Sequence, residues 1–186
     1  MTRELVLRNR QRARSVDLRL LRRIGLHLLD EIFQVEQFEL GVHLVGAGEM
    51  TKLNRDFLGH AGSTDVITFD YAEKVGQESR LPRQGTAQQK RRGARFIKST
   101  DRFAMDKRDA CPTLLHGEIF ISLDAAVLQA RQFHTTWQSE LVRYLIHGLL
   151  HLCGYDDLKP AARREMKCEE NRVLRELAKH ISFATL

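Results

Sequence analysis

The chain has 186 residues, 42% of them hydrophobic, and a formal net charge of +6 at pH 7. These figures predict one compact domain, residues 1–186, with a substantial core, and they leave too little chain for two. The first sixteen residues mix a glutamate with repeated arginines where a signal peptide needs an unbroken apolar stretch, and no apolar run reaches membrane-spanning length. We therefore expect a cytoplasmic protein without a membrane partner.

The predicted elements alternate between strands and helices and then end in helices. Period-two or β-branched runs predict strands, and apolar spacings of three and four predict helices. In chain order they are a strand at 5–11, a helix at 17–33, a strand at 38–46, a short helix at 48–58, strands at 64–71 and 115–123, and helices at 124–133, 135–152 and 160–180. This order predicts the α+β class, with a single mixed sheet of about four strands covered by helices.

Residues 73–113 lie between the third and fourth predicted strands and carry the excess charge. They hold eleven Lys or Arg against five Asp or Glu, a net charge of +6, while the rest of the chain is neutral. The segment lacks apolar periodicity, which predicts an insertion or a mobile loop. Two interpretations stay open: a solvated tether, or a contact with a polyanion, because clustered cations release counterions from a phosphate backbone.

The three cysteines are Cys111, Cys153 and Cys168. Their number is odd and their spacing does not form the pairs typical of a zinc site, so we expect reduced thiols in a reducing compartment. We assign them no role beyond packing.

Residues 147–157, HGLLHLCGYDD, place two histidines four residues apart on a predicted helix. Thr135 and Gln138 suggest a capping box, so we expect this helix to begin near residue 136 and to run through Leu152. One face of the helix then carries four polar side chains, those of Glu140, Tyr144, His147 and His151.

Two imidazoles on one helical face can chelate one metal ion. Gly154 suits the left-handed conformation that ends many helices, and a chain reversal there brings Asp157 back toward the histidines. The pattern His-x3-His-x2-Gly-x2-Asp therefore predicts a zinc site made by His147, His151 and Asp157, with about one Zn²⁺ per chain, on a metalloprotease-like helix near the C-terminus. The plainer interpretation is a pair of core histidines satisfied by hydrogen bonds.

Gly148 follows the first histidine, at the position where zinc peptidases carry their general-base glutamate. Its presence disfavours peptide hydrolysis. A glycine inside a helix costs about 1 kcal/mol relative to alanine, which predicts that another part of the chain approaches the backbone closely at this point.

The same residues resemble the signature of the YbeY endoribonucleases, bacterial ribosomal RNA maturation factors, which reads H-G-x-L-H-L-x-G-Y-D-H. Further similar segments are LNRDFLGHAGSTDVITF at 53–69, HGEIFIS at 116–122, SELVRYLIHG at 139–148, and Met166 with Glu169 and Glu170. The resemblance covers roughly residues 35–178, interrupted by the basic segment. It implies a zinc-dependent, single-strand-specific endoribonuclease acting in small-subunit ribosomal RNA maturation and ribosome quality control. The implied partners are single-stranded or ribosomal RNA and the ribosome or its small subunit, with no DNA.

The chain departs from the family pattern in two places. The third histidine is replaced by Asp157, which zinc accepts because a carboxylate oxygen is an ordinary ligand for it. The family arginine associated with the active site falls at Leu58, and His60 or Arg55 could replace its charge next to the substrate phosphate. We predict His60 as the catalytic residue of this pair.

The predicted mechanism is metal-assisted phosphodiester hydrolysis, in which zinc activates water and polarises a phosphoryl oxygen. Two alternatives stay open: a metallohydrolase of another substrate, including a peptidase, and a non-catalytic ribosome assembly factor with a structural metal.

Overall fold

The computed structural model describes residues 2–59, 62–72, 95–96 and 111–186, with the side chains of residues 58, 95 and 96 left out. Nearly all of the basic segment, and His60, lie outside the described residues. Among the described residues, no helix is long and apolar enough to span a membrane.

One mixed sheet forms the centre of the fold. Its strands are β1 (Arg3–Asn9), β2 (Gln37–Val45), β3 (Val66–Asp70), β4 (Arg95–Phe96) and β5 (Leu114–Ser122). Their spatial order is β1-β2-β5-β3-β4. β1, β2 and β5 run parallel, whereas β3 is antiparallel to both β5 and β4.

In the described part of the chain, five helices cover the sheet: α1 (Leu18–His27), α2 (Ala47–Leu53), α3 (Leu123–Phe133), α4 (Trp137–Leu152) and α5 (Pro160–His180). Two of them continue into a π-helical turn, α1 at Leu28–Ile32 and α2 at Asn54–Leu58. Asp17 caps α1 by accepting hydrogen bonds from the backbone of Arg19 and Leu20, as expected for aspartate at a helix start. Ser122 caps α3 in the same way, through the backbone amide of Ala125.

The larger core lies between the sheet and α4. Alternate residues of β2 and β5, such as Leu40 and Ile119, are buried there against Leu145 and Leu149 of α4. The opposite face of the sheet holds a smaller core under α2, formed by Val45, Met50, Ile67, Phe69 and Phe120. Most of the surface of α4 is therefore apolar, as expected for a central helix. Its polar stripe is the part that can form a functional site.

The structure confirms the predicted class: four longer strands make one mixed sheet with helices around it. The two-residue strand β4 adds to these, and it falls in the segment where no strand was predicted. The helix cap lies one residue later than predicted, and it is a single N-cap hydrogen bond in place of the predicted capping box. Thr136, not Thr135, caps α4 by accepting from the backbone of Ser139, and Thr135 instead donates its hydroxyl proton to Glu140.

The prediction that all three cysteines are free thiols is wrong in this structure. Cys111 and Cys153 form a disulfide, with Cα atoms 4.8 Å apart and a sequence separation of 42 residues. Cys168 is free and exposed on α5. The disulfide joins the residues just before β5 to the end of α4, a proximity that sequence spacing cannot reveal because it depends on how α4 packs on the sheet.

Candidate metal centre

The centre begins with two histidines that lie one turn apart on the polar stripe of α4. His147 and His151 are both half-buried, and their Nε2 atoms are 3.0 Å apart. Their rings are nearly perpendicular, at 89°. Two ring nitrogens therefore point at one small volume beside the helix.

The end of α4 brings a carboxylate to the same volume. Gly154 has a φ of +94°, a conformation that favours glycine, and the amides of Gly154 and Tyr155 donate to the carbonyls of His151 and Leu150. The chain thereby turns back along the helix end. The ligand atoms of Asp157, His147 and His151 all lie within 4.8 Å of one another.

The second nitrogen of each imidazole faces a hydrogen-bond acceptor. Nδ1 of His147 is 2.6 Å from Oε1 of Glu170 on α5, and Nδ1 of His151 is 3.2 Å from the backbone carbonyl of Tyr155. An acceptor at Nδ1 keeps the proton on that nitrogen in a neutral ring. In two neutral rings the Nε2 lone pairs would then face each other at 3.0 Å, so this contact requires either a proton on one Nε2, which donates to the other, or a cation between them.

The surroundings perturb the two imidazoles in opposite directions. Burial lowers the pKa of His147, but the hydrogen bond and negative charge of Glu170, with Asp65 and Asp157, outweigh it, so the net pKa is raised. Burial and the neighbouring His147 lower the pKa of His151. A second polar group of the stripe, Tyr144, has its phenol pKa raised by burial and by the charges of nearby carboxylates.

The donor set fits zinc. Zinc binds imidazole nitrogen and carboxylate oxygen, and with tetrahedral geometry and Zn–N bonds of about 2.0–2.1 Å its nitrogen ligands are about 3.3 Å apart. The 3.0 Å between the two Nε2 atoms is close to that spacing. The Nδ1 contacts with Glu170 and with the Tyr155 carbonyl are of the kind that orients zinc-bound histidines in proteins. Within the described part of the chain these three side chains are the candidate ligands, and three protein ligands is the number that catalytic zinc sites have.

Gly148 shows the close approach that its position in α4 predicts. A Cβ atom placed on it would lie 2.5 Å from Cγ2 of Ile119 on β5. A glutamate at this position would therefore project into the sheet and not toward the ligands. The packing of α4 against β5 is therefore incompatible with a general-base glutamate at this position.

A pocket of about 400 Å³ opens beside the centre, between α3, α4 and α5. Its lining includes His147 and Asp157 together with Asp65, Glu140, Arg143, Tyr144, Arg163, Lys167 and Glu170. Arg143 lies between two carboxylates, with Nε 3.5 Å from Glu140 and Nη1 3.8 Å from Glu170, and it also donates to Asn171. This network fixes the acceptor of His147, so the orientation of one ligand depends on both α4 and α5.

Only some of the residues predicted for the site lie together among the described residues. The structure brings His147, His151 and Asp157 together, whereas His60 and the side chain of Leu58 lie outside the described residues. Arg55 is 68% exposed, forms an ion pair with Asp56, and does not line the pocket. Asp156, the other nearby carboxylate, accepts from the backbone of Leu158 and supports the turn.

Sequence reasoning missed the role of Glu170. Glu170 entered only through the family resemblance, although its spacing of four residues from Met166, an apolar residue on the same predicted helix, is a signal that its side chain faces inward. Which helix it then faces cannot be read from spacing alone.

The fold and the site together define an α+β protein with a candidate metal centre on a buried helix. Residues 6–178 match the family described as Endoribonuclease YbeY. The chain belongs to this family.

Individual relatives agree with that assignment. Endoribonuclease YbeY of Chlorobium phaeovibrioides is 31% identical over 137 residues, which are 74% of this chain and 67% of that protein. Endoribonuclease YbeY of Parabacteroides distasonis is 33% identical over 126 residues, 68% of this chain and 62% of that protein. The matched region therefore spans about two thirds of the length of these relatives. That of Salinibacter ruber is 27% identical over 162 residues, 87% of this chain and 84% of that protein.

The solution structure of TM1509 from Thermotoga maritima has a similar fold. It superimposes with a TM-score of 0.53 at 22% identity and covers 95% of this chain and 90% of that one. At this identity the similarity supports the fold alone.

Proposed function

We propose that the protein is a zinc-dependent, single-strand-specific endoribonuclease acting in small-subunit ribosomal RNA maturation and ribosome quality control. Membership of the endoribonuclease YbeY family supports the reaction class and the RNA substrate. The observation that carries the zinc proposal is the convergence of the ligand atoms of His147, His151 and Asp157, all within 4.8 Å of one another, while both Nδ1 atoms face acceptors.

Each residue of the centre has a separate task in this proposal. His147, His151 and Asp157 hold the ion, Glu170 and the carbonyl of Tyr155 orient the two rings, and Gly148 allows α4 to lie against β5. When bound, zinc supplies Lewis-acid polarisation of the phosphodiester and activation of a water molecule. This chemistry needs no carboxylate base on α4, in agreement with the glycine after His147.

Cleavage of single-stranded RNA tests the proposal. We expect the zinc-loaded protein to cut a single-stranded oligoribonucleotide, to lose this activity with a chelator, and to recover it with added zinc. His151→Ala should be inactive at every zinc concentration, and a duplex of the same sequence should resist cleavage. An active metal-free protein would contradict the proposed mechanism.

Two other functions remain as alternatives. Leu58, which stands where the family has an arginine, favours a non-catalytic ribosome assembly factor with a structural metal; zinc and ribosome binding without RNA cleavage would select it. A peptidase is less compatible with the contact between Gly148 and Ile119, and casein digestion in the presence of zinc would detect one. His60 stays our prediction for a group that assists at the phosphate, and His60→Ala should lower the cleavage rate without loss of zinc.

The basic segment, residues 73–113, is proposed as an insertion in a single domain that spans residues 1–186 and contacts RNA or the ribosome through its net charge of +6. Replacing Lys90, Arg91 and Arg92 by glutamine should weaken RNA binding. It should also reduce the salt slope by up to about 0.7 for each phosphate that the variant no longer neutralises. Unchanged salt slopes would leave the segment as a tether.

We propose the cytoplasm as the compartment, since the proposed substrate is ribosomal RNA. A stable disulfide is unusual in that compartment. An alkylating agent added before cell lysis labels only reduced cysteines. Counting the labels on Cys111 and Cys153 therefore shows whether these two residues are reduced or disulfide-bonded in the cell.

A further inference from the structure

Two cations of α5, Arg163 and Lys167, line the metal-centre pocket. Arg163 and Lys167 are one helical turn apart, both are exposed, and both line the same pocket as His147 and Asp157. Nε of Arg163 donates to the backbone carbonyl of Asp157 at 3.0 Å, which holds the guanidinium next to a candidate ligand. Within the described part of the chain, neither side chain forms an ion pair.

Arg143, the third cation among the described residues that line the pocket, is already occupied. Arg143 is held by Glu140, Glu170 and Asn171. Further along α5, the side chains of Arg172 and Lys179 pair with carboxylates one turn away. Among the described residues that line the pocket, Arg163 and Lys167 are therefore the cations without a carboxylate partner.

The net charge of the pocket depends on Arg163 and Lys167. Among the described residues, four carboxylates line it, those of Asp65, Glu140, Asp157 and Glu170, against three cations, those of Arg143, Arg163 and Lys167. The balance is one negative charge, which a divalent ion changes to one positive charge. Without Arg163 and Lys167 the pocket would stay negative even with the ion bound, and it would repel a phosphate.

We infer that Arg163 and Lys167 form a phosphate-binding site for the RNA strand beside the metal centre, an inference that rests on the proposed ribonuclease function. The Nε contact with Asp157 leaves both terminal nitrogens of Arg163 to donate to one phosphate, a geometry that guanidinium favours. Lys167, one turn further along the helix, supplies a point charge for the same or the next phosphate. The two residues position substrate and take no part in holding the ion.

Three single variants test this site: Arg163→Gln, Lys167→Gln and, as the matched control, Arg164→Gln. Arg164 is the exposed neighbour of Arg163 on α5 and does not line the pocket. Binding of a short single-stranded oligoribonucleotide to the zinc-loaded proteins is measured by fluorescence anisotropy at several salt concentrations, with the RNA checked for integrity on a gel. Zinc content is measured on the same samples.

We expect Arg163→Gln and Lys167→Gln each to weaken binding several-fold and to reduce the salt slope by about 0.7, the value for one phosphate contact on a single strand. Zinc content should stay at the wild-type level in all three variants. Arg164→Gln should match the wild type in affinity and slope.

Equal losses in all three variants, or none, would overturn the inference, because the effect would then reflect net charge and not a site. RNA cleavage is followed separately. A wild-type protein that binds RNA with the expected dependence on Arg163 and Lys167 but does not cleave it would contradict the proposed function and leave the phosphate site standing.

Discussion

At the scale of single residues, the centre depends on which nitrogen of each imidazole carries the proton. Spacing alone predicts that His147 and His151 share a helix face and that Gly154 returns Asp157 to them, and the geometry agrees. The acceptors at the two Nδ1 atoms come from Glu170, on another helix, and from a backbone carbonyl. Backbone groups leave no trace in a sequence pattern, so this half of the site had to come from the structure.

The first prediction concerns Asp157, where the chain differs from the family histidine. Asp157→Asn keeps the shape of the side chain but removes its charge, so zinc affinity should fall more than about 100-fold, beyond the 10–100-fold typical of residues that only orient ligands. Asp157→His should retain zinc, since imidazole is also a good ligand. Competition with a chromogenic chelator measures both. Asparagine and wild-type proteins of equal affinity would show that Asp157 is not a ligand.

The second prediction separates Glu170 from its neighbour on α5. Glu170 accepts from His147 in a buried position, whereas Glu169 pairs with Arg172 at the surface. Glu170→Gln should lower zinc affinity about 10–100-fold, and Glu169→Gln should leave it unchanged. The same chelator competition applies, with circular dichroism as a check that both variants are folded. Equal affinities in the two variants would mean that Glu170 does not support the centre.

At the scale of elements, the sequence predicts the helices and longer strands because each carries its own periodicity. The prediction fails where a feature depends on a partner. β4 is two residues long and exists through pairing with β3, and the choice of Thr136 over Thr135 as the cap depends on Thr135 bonding Glu140. The disulfide depends on the packing of α4 against the sheet. Local sequence periodicity therefore predicts a helix or a strand but not the elements that pack against it.

The third prediction tests the contact between α4 and β5. Gly148→Ala gains helix propensity of about 1 kcal/mol but places a Cβ 2.5 Å from Ile119, and such overpacking costs about 1–3 kcal/mol. We therefore expect net destabilisation in urea unfolding. Gly48→Ala, in α2 with nothing within 4 Å of the new Cβ, is the control and should stabilise by about 0.5–1 kcal/mol. Stabilisation by both substitutions would contradict the close packing.

The fourth prediction concerns the disulfide between Cys111 and Cys153. In the loop-entropy account, closing a loop of 42 residues stabilises the fold by about 4 kcal/mol. Cys153→Ser should therefore unfold at lower urea than the wild type without reductant, and Cys168→Ala should not. Under denaturing, non-reducing conditions one thiol per wild-type chain should react with a thiol reagent. Three reactive thiols would mean that the bond does not form.

At the scale of the whole molecule, the order of the strands decides where the centre can form. The order β1-β2-β5-β3-β4 places β5 in the middle of the sheet, where α4 packs across it and exposes its polar stripe to α3 and α5. Periodicity predicts one mixed sheet but not this order, because parallel pairing joins strands that are far apart in the chain. The site is predictable as a motif, and its pocket only from the assembled fold.

The most direct test of the account is the zinc content of purified protein, wild type against His147→Ala and His151→Ala, after dialysis with one equivalent of zinc. We expect about one zinc per wild-type chain and almost none in either variant, with all three proteins folded by circular dichroism. A folded wild-type protein that holds no zinc, or a histidine variant that keeps a full equivalent, would contradict the assignment of this centre.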